Sequence, residues 1–254
     1  MNIRSITAPN PSPFTLDGTR TWLLGTSAVI DPGPAIDSHV QAIVQSMPQL
    51  RTILITHRHD DHAPAAVALK RATGATIAAP HGVLEDSAVD RRIIDGEMID
   101  VGGATLSVVA TPGHTAEHVC FLSGDGDLFS GDTILGRGTT AIFPPDGDMS
   151  DYIASLRKLR TLRPKRIRPA HGPDRDDAVA VIDEYIEHRW MRERQIIQAL
   201  ERGAGSIEAI RTLVYPDLDP SLARGAAIQI DAHLIKLEKE GRVARNANSI
   251  ALIG

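Results

Sequence analysis

The segment ITHRHDDH, residues 55–62, follows directly on the apolar run Ile53-Leu54-Ile55 and sets three histidines and two aspartates within six residues. An apolar run of this kind reads as a buried strand, and side chains just past its end project from one edge of a sheet. His57 and His59 alternate, so on extended backbone both can face one point. Asp61 and His62 fall where Pro64 suits the first turn of a helix through about Thr73, which turns them towards a second point nearby. Three further groups stand at the ends of apolar runs: His114 after VVATPG, Asp132 at the end of LFSG, and His171 after IRPA. Strand ends converge at a sheet edge, so these groups can meet although they are far apart in sequence. Adding His114 to the first pair and His171 to the second gives a three-histidine group beside an Asp-His-His group, with Asp132 available to bridge them. Imidazole and carboxylate without thiolate suit zinc, two ions per chain, and iron or manganese accept the same donors.

The rest of the chain supplies a frame for those strand ends. Thr19 to Asp31 reads as two short strands, Ile36 to Met47 as a helix, Arg51 to Thr56 as a buried strand and ATIAAP as another. His81 to Asp95 is polar and reads as a loop. GATLSVVATPGHT, HVCFLSG and DLFSGD follow as strands, Ser150 to Leu162 as a helix, and KRIRPAHG as the last strand of the set. This alternation is that of a layered α/β domain with sheets inside. A long helical pattern then runs from Asp177 to Arg202. Helices opening at Ser206 and running from Pro220 to Glu240 follow, with a hairpin over Val243 to Ile253. That order resembles a small winged-helix module. We place the boundary near Gly203, giving a layered α/β domain over 1–203, connecting helix 177–202 included, and a winged-helix-like domain over 204–254.

Composition removes several function classes. The net charge of −5 gives no general pull towards nucleic acid or anionic membrane, and no apolar run approaches the length of a membrane span. The N-terminus has no apolar region followed by a cleavage site, and the single cysteine, Cys120, lies in an alternating strand as a core residue. The expected compartment is the cytoplasm. There is no G-x-S-x-G elbow, P-loop or H-E-x-x-H. His39, His81 and His233 read as surface residues. Asp31, ending the strand SAVID, is a candidate acceptor behind a ligand histidine.

The order T-H-x-H-x-D-H from Thr56 to His62, then TPGHT, SGD and AHG, resembles the metallo-β-lactamase superfamily across most of the first 172 residues. The resemblance implies an αββα sandwich with a dinuclear site at one edge. Carried over, His57, His59 and His114 bind the first metal and Asp61, His62 and His171 the second, with Asp132 bridging. His118, in GHTAEH, is implied as a supporting residue. FSGDTILGRGTTAIF, DMSDYIASLRKL, AHGP and YIEHRWMRERQI are similar to the β-lactamase-like protein 2 group, whose members end in a winged-helix domain. That group includes an endoribonuclease cleaving single strands, and fungal acyl-carrier-protein thioesterases are similar around Gly136 to Thr139. Glyoxalase II shares the metal motifs only.

The implied activity is metal-dependent hydrolysis. Two cations sharing a water lower its pKa and neutralise charge developing in the transition state, with Asp61 and Asp132 as catalytic residues. Single-stranded RNA is the leading substrate and an acyl thioester the alternative. A winged-helix regulator with a metal-sensing domain is the reading from another class. Between Arg157 and Arg168 lie seven basic residues and no acid. This block, with Arg166 and Arg168 in it and His188, Arg189 and Arg192 on the following helix, is expected either to be a solvated face or to hold an anionic substrate. Thr139 and Thr140 are expected to line the cleft. Residues 204–254 carry six basic and six acidic side chains, so no specific DNA binding is expected, and packing or homo-oligomerisation is the expected use of that domain.

Overall fold

The computed structural model describes residues 1–246 and 249–253. Strands β1 (Ile3–Thr7), β2 (Arg20–Leu24) and β3 (Ala28–Ile30), helix α1 (Asp37–Ser46), strand β4 (Thr52–Leu54), helix α2 (Ala65–Thr73) and strands β5 (Thr76–Ala79) and β6 (Arg91–Arg92) come first. They are followed by β7 (Met98–Asp100), β8 (Thr105–Ala110), β9 (Val119–Ser123), β10 (Asp127–Gly131), α3 (Met149–Thr161), β11 (Arg166–Pro169), β12 (Arg175–Asp176) and α4 (Ala178–Glu201). The C-terminal part holds α5 (Ile207–Val214), a short turn at Pro220–Leu222, α6 (Ala223–Lys239) and the hairpin β13 (Val243–Arg245) and β14 (Ile250–Leu252). The hairpin reading of the sequence includes residues 247–248, which lie outside the described residues.

Two six-stranded mixed sheets stack face to face, in order β1-β2-β3-β4-β5-β6 and β12-β11-β10-β9-β8-β7. Strand alternation divides the core into layers. Trp22 and Leu24 of β2, Leu106 and Val108 of β8, and Val119 and Phe121 of β9 fill the space between the sheets. Leu23 of β2 instead packs outward with Ile43 of α1, Met47 just past its end and Leu69 of α2. On the other side Val109, Cys120 and Leu128 pack under Tyr152, Leu156 and Leu159 of α3 and Ile182 and Tyr185 of α4. Helix-sheet-sheet-helix is the αββα sandwich that the sequence resemblance implies. Truncating a fully buried inter-sheet residue such as Phe129 would cost about 3–5 kcal/mol.

Local sequence explains where the elements begin and end. Asp148 caps α3, its side chain accepting the amides of Ser150 and Asp151, and Ser206 caps α5 by accepting from Ala209. The last turns of α4 carry Ile196, Ala199 and Leu200 into a separate core with Ile210, Val214, Ile230, Leu234 and Val243. Helix α4 therefore serves both the sandwich and the winged-helix part, which fixes one against the other. No helix among the described residues is long and apolar enough to cross a membrane.

Two surface readings are corrected. His39 and His233 are each 2% exposed. His39 Nε2 lies 2.9 Å from Thr21 Oγ1 because the first turn of α1 packs back on β2, and His233 is enclosed between α6 and α4. His81 is exposed. Cys120 is fully buried, and burial pushes its thiol up to about 11.

Candidate metal centre

The ends of β4, β8, β10 and β11 bring seven side chains to one edge of the sandwich. His57, His59, His114 and Asp132 form one group and Asp61, His62 and His171 a second, the donor atoms of each lying within 4.8 Å of one another. In the first, His59 Nδ1 lies 3.0 Å from His57 Nε2 and 3.1 Å from His114 Nε2. In the second, Asp61 Oδ2 is 3.3 Å from His62 Nε2 and 3.2 Å from His171 Nε2. Asp132 spans them: Oδ2 is 3.6 Å from His114 Nε2, while Oδ1 is 3.2 Å from His171 Nε2 and 3.5 Å from His62 Nε2. Donors at about 2.1 Å from a tetrahedral cation stand roughly 3.3–3.4 Å apart, so these spacings suit such ions. His62 Nε2 and Asp132 Oδ1 are buried without a hydrogen-bond partner among the described residues, as donor atoms reserved for a cation would be.

The remaining atoms of these side chains are held from behind. His62 Nδ1 lies 3.0 Å from Asp31 Oδ2, and the same carboxylate accepts from the Thr56 amide and hydroxyl, both at 2.8 Å. Thr56 Oγ1 also lies 2.9 Å from His57 Nδ1, and His114 Nδ1 lies 2.9 Å from Ala141 O. Thr19 Oγ1 donates to Asp61 Oδ2 at 2.9 Å. His118 is not among the converging donors. Its Nε2 accepts from the Asp132 amide at 3.2 Å, while Thr111 Oγ1 and Thr133 Oγ1 lie 2.9 and 3.2 Å from its Nδ1. Asp31 and His118 thus each touch a residue of the cluster and line no part of the cleft.

Backbone geometry explains the glycines of the motifs. A Cβ at Gly131 (φ 49°) would lie 2.7 Å from both His118 Nε2 and Thr56 Oγ1. One at Gly113 (φ 130°) would lie 2.3 Å from the Tyr152 backbone, which seats α3 beneath the His114 turn. Arg58, between His57 and His59, points away and pairs with Glu117 at 2.8 Å and Asp146 at 2.5 Å.

The electrostatics differ between the two groups. Burial, reinforced by neighbouring histidines, holds His57 well below the ordinary imidazole range, and burial followed by His114 lowers His59 to about 4. Burial also opposes a charge on His62 and His171. The carboxylates of Asp61 and Asp132 outweigh it, raising His62 well above its usual range and His171 to about 9. For Asp61 and Asp132 burial acts upward, but the facing histidines dominate and hold both below the carboxylate range. The second group therefore draws positive charge to the carboxylates, which a cation would satisfy without protons.

A cleft of about 320 Å³ opens over both groups. His59, Asp61, His114, Asp132 and His171 form part of its wall, with Thr139 and Thr140 as the sequence reading has them. Phe14, Leu135 and Phe143 line the apolar remainder, the two phenylalanine rings meeting edge to face at 6.3 Å. The sequence reading assigned no site role to Phe14, Phe143 or Thr19: Phe143 closes the FSGDTILGRGTTAIF stretch without a role of its own, and only chain folding brings the loop before β2, with Phe14 and Thr19, over the cluster.

Of the two readings of the basic block, the one that brings it to the cleft is not met. Arg166 pairs with Asp176 at 2.8 Å, and Arg168 pairs with Asp127 at 2.9 Å and with Asp174, all along β11. Lys158 pairs with Asp95 at 2.6 Å, Arg160 with Asp183 at 2.5 Å, and Arg157 stacks over Trp190. The block is acid-free only in sequence: the acids that pair with Lys158, Arg160, Arg166 and Arg168 arrive from other segments. Arg189 is buried and gives its Nη2 to Thr140 O at 2.5 Å, Arg192 stacks over Tyr215, and His188 is half-buried on the same helix. None of these five candidates lines the cleft.

Comparisons with known proteins agree with this fold. The sequence profile of the metallo-beta-lactamase superfamily matches residues 15–171, and that of the beta-lactamase associated winged helix domain matches residues 206–250. A beta-lactamase-like protein 2 homolog of Caenorhabditis elegans is 38% identical over 256 residues, covering 95% of this chain and 85% of that protein. An atrochrysone carboxyl ACP thioesterase of Cryptosporiopsis is 30% identical, covering 92% of this chain and 79% of its own length. The crystal structure of a metallo-beta-lactamase family protein from Thermus thermophilus superposes with a TM-score of 0.79 at 20% identity, covering 99% of this chain and 98% of that one.

Proposed function

This chain belongs to the metallo-beta-lactamase superfamily and carries its associated winged-helix domain, and from that premise we propose that it is a dinuclear zinc hydrolase acting on acyl thioesters or related esters. The observation that carries the substrate class is the cleft wall. Pro13, Phe14, Leu135, Ala141 and Phe143 surround the metal-ligand groups, and no lysine or arginine is among the lining residues. A polynucleotide needs cationic contacts along its phosphates, whereas an acyl chain needs apolar surface beside the reacting carbonyl. Of the seven basic residues from Arg157 to Arg168, Lys158, Arg160, Arg166 and Arg168 are ion-paired within the fold, and none of the seven lines the cleft. The thioesterase named among the relatives agrees with this reading.

His57, His59 and His114 would hold one ion, Asp61, His62 and His171 the other, and Asp132 both. Zinc is assigned because neutral imidazole predominates in the first group, while iron or manganese would satisfy the same donors. Such ions supply a Lewis acid for the carbonyl oxygen and water of lowered pKa. The chain's own contribution is positional. Asp31, Thr56 and the Ala141 carbonyl fix the tautomers and ring planes of His62, His57 and His114. Asp61, held by Thr19 at the cleft wall, is the acceptor for a proton of the attacking water. Half-buried Phe143, with Phe14 at the exposed rim, gives the acyl side an apolar surface.

The test compares a medium-chain acyl thioester with a single-stranded oligoribonucleotide as substrates of the zinc-loaded chain, each with and without chelator. We expect chelator-sensitive thioester hydrolysis and RNA left intact. Chelator-sensitive RNA cleavage with the thioester untouched would reverse the assignment in favour of the endoribonuclease-like reading.

A further inference from the structure

Helices α4 and α6 meet along a seam where positive charge exceeds its partners. Arg189 is 2% exposed, its Nη2 is given to a neutral carbonyl, its guanidinium lies 5.0 Å from the Tyr152 ring, and its Nε has no acceptor among the described residues. Almost one turn further on, Arg192 lies 4.5 Å over Tyr215 and donates Nη1 to the neutral Gln195 Oε1. Its Nε is likewise buried without an acceptor, as are His188 Nδ1 on the same helix and His233 Nδ1 arriving from α6. The acid on this face, Glu193, is already shared by Lys236 at 2.7 Å and Arg242 at 3.3 Å, and lies 4.0 Å from His233 Nδ1. Glu240 pairs with the same two cations, so among the described residues four cations face two carboxylates and the Arg189 and Arg192 charges are left over. Buried guanidinium without a counter-ion is costly, and unmade buried hydrogen bonds add to that cost.

We propose that this seam is a binding site for a tetrahedral oxyanion of the phosphate class, held by Arg189 and Arg192 with His188 and His233 as further donors. Guanidinium groups match phosphate oxygens in charge and in the spacing of their N–H groups, which a halide would not exploit. Burial lowers His188 to about 4 and His233 to about 3, so at neutral pH both are neutral rings able to donate one N–H each. The seam lies behind the cleft wall. Arg189 anchors Thr140 O, and Gln229 of α6 anchors Ile142 through its amide N–H to O at 2.9 Å and its Oε1 from N at 3.3 Å. An oxyanion bound there would brace both helices that hold the loop over residues 139–142. This inference does not depend on which bond the cleft hydrolyses, so the two proposals fail separately.

The test uses the full chain after chelation, so that no metal in the cleft takes the probe. Inorganic phosphate is titrated against thermal unfolding in a buffer free of oxyanions, at ionic strength held constant with chloride. We expect a saturable rise in Tm with phosphate that chloride does not reproduce. Arg192→Gln and His188→Gln, both at half-buried positions, should each raise the half-saturating phosphate concentration about tenfold, the loss of one charge-assisted or buried hydrogen bond. Arg194→Gln, at an exposed residue paired with Glu187, should leave it unchanged. No rise in wild type, or an equal midpoint in Arg192→Gln, overturns the site. A second arm identifies the source. If the phosphate arrives on the substrate, S-acyl phosphopantetheine has a lower KM than S-acyl pantetheine in the metal-loaded chain, and Arg192→Gln abolishes the difference. Equal KM values beside an intact Tm response assign a free ion.

Discussion

Replacing Asp31 by asparagine separates the charge behind the metal cluster from everything else at that position. Asp31 sits at φ 50°, a conformation that asparagine adopts readily, so the backbone should not move. Its carboxylate accepts from the Thr56 amide, the Thr56 hydroxyl and His62 Nδ1. Asparagine keeps one acceptor oxygen and puts an NH2 in place of the other. With that oxygen kept on the Thr56 amide, the NH2 faces His62 Nδ1 and drives the proton to Nε2. A protonated Nε2 cannot ligate a metal, so His62 must give up either its rear hydrogen bond or its ligand role. Loss of one such buried interaction costs about 1–3 kcal/mol in folding, and disturbing a support behind a ligand lowers metal affinity about 10–100-fold. The assay is competition with a chromophoric zinc chelator, alongside urea unfolding of the metal-free chain. Wild-type zinc affinity in a folded Asp31→Asn chain would refute the argument that Asp31 sets the His62 tautomer.

Three further outcomes follow from the same contacts. Arg168→Ala removes a guanidinium that pairs with Asp127 and Asp174 beside Trp22; urea unfolding should show a loss of about 1–3 kcal/mol, with the KM for thioester unmoved, and a raised KM with unchanged stability would contradict the structural role. Phe143→Ala should raise the KM for a long-chain acyl thioester about tenfold, the apolar burial of one aromatic side chain, while a short acetyl thioester is little affected; equal KM ratios for the two chain lengths would remove Phe143 from the acyl wall. His233 has a folded pKa of about 3 against an ordinary 6.5, lowered first by burial and then by Arg189. The unfolded chain therefore takes up a proton that the folded chain refuses, so stability is intact above about pH 6.5 and declines as the pH falls towards 3. His233→Gln should flatten that acid limb in urea midpoints, and an unaltered slope would show that His233 is not held neutral.

Much of the cluster was legible because its residues obey local rules. Strand ends can be read from apolar runs, and ligand types after a strand end leave few alternatives, so all seven converging donors are those expected from the sequence. Ser206, at which the sequence reading opens α5, is a local signal as well. What escaped depends on contacts between distant segments. The acid-free run from Arg157 to Arg168 leaves a solvated face and an anion-holding rim both open in the sequence, because Asp95, Asp127, Asp174, Asp176 and Asp183 reach it only in the folded chain. His39 and His233 carry no sequence mark of burial, since each is enclosed by an element remote from its own. The apolar cleft wall escaped for the same reason: Phe14 stands in a Pro-rich loop and Phe143 after a glycine-rich one, and only the fold sets their rings 6.3 Å apart over the cluster.

The most direct test of the account is the number of divalent ions the chain retains. Protein loaded with zinc, passed through a desalting column and measured by elemental analysis should hold close to two zinc ions per chain. Asp132→Asn should retain fewer, because both groups lose the carboxylate that spans them. Occupancy near zero in the loaded wild-type chain, or an unchanged two in Asp132→Asn, would contradict a dinuclear centre bridged by Asp132.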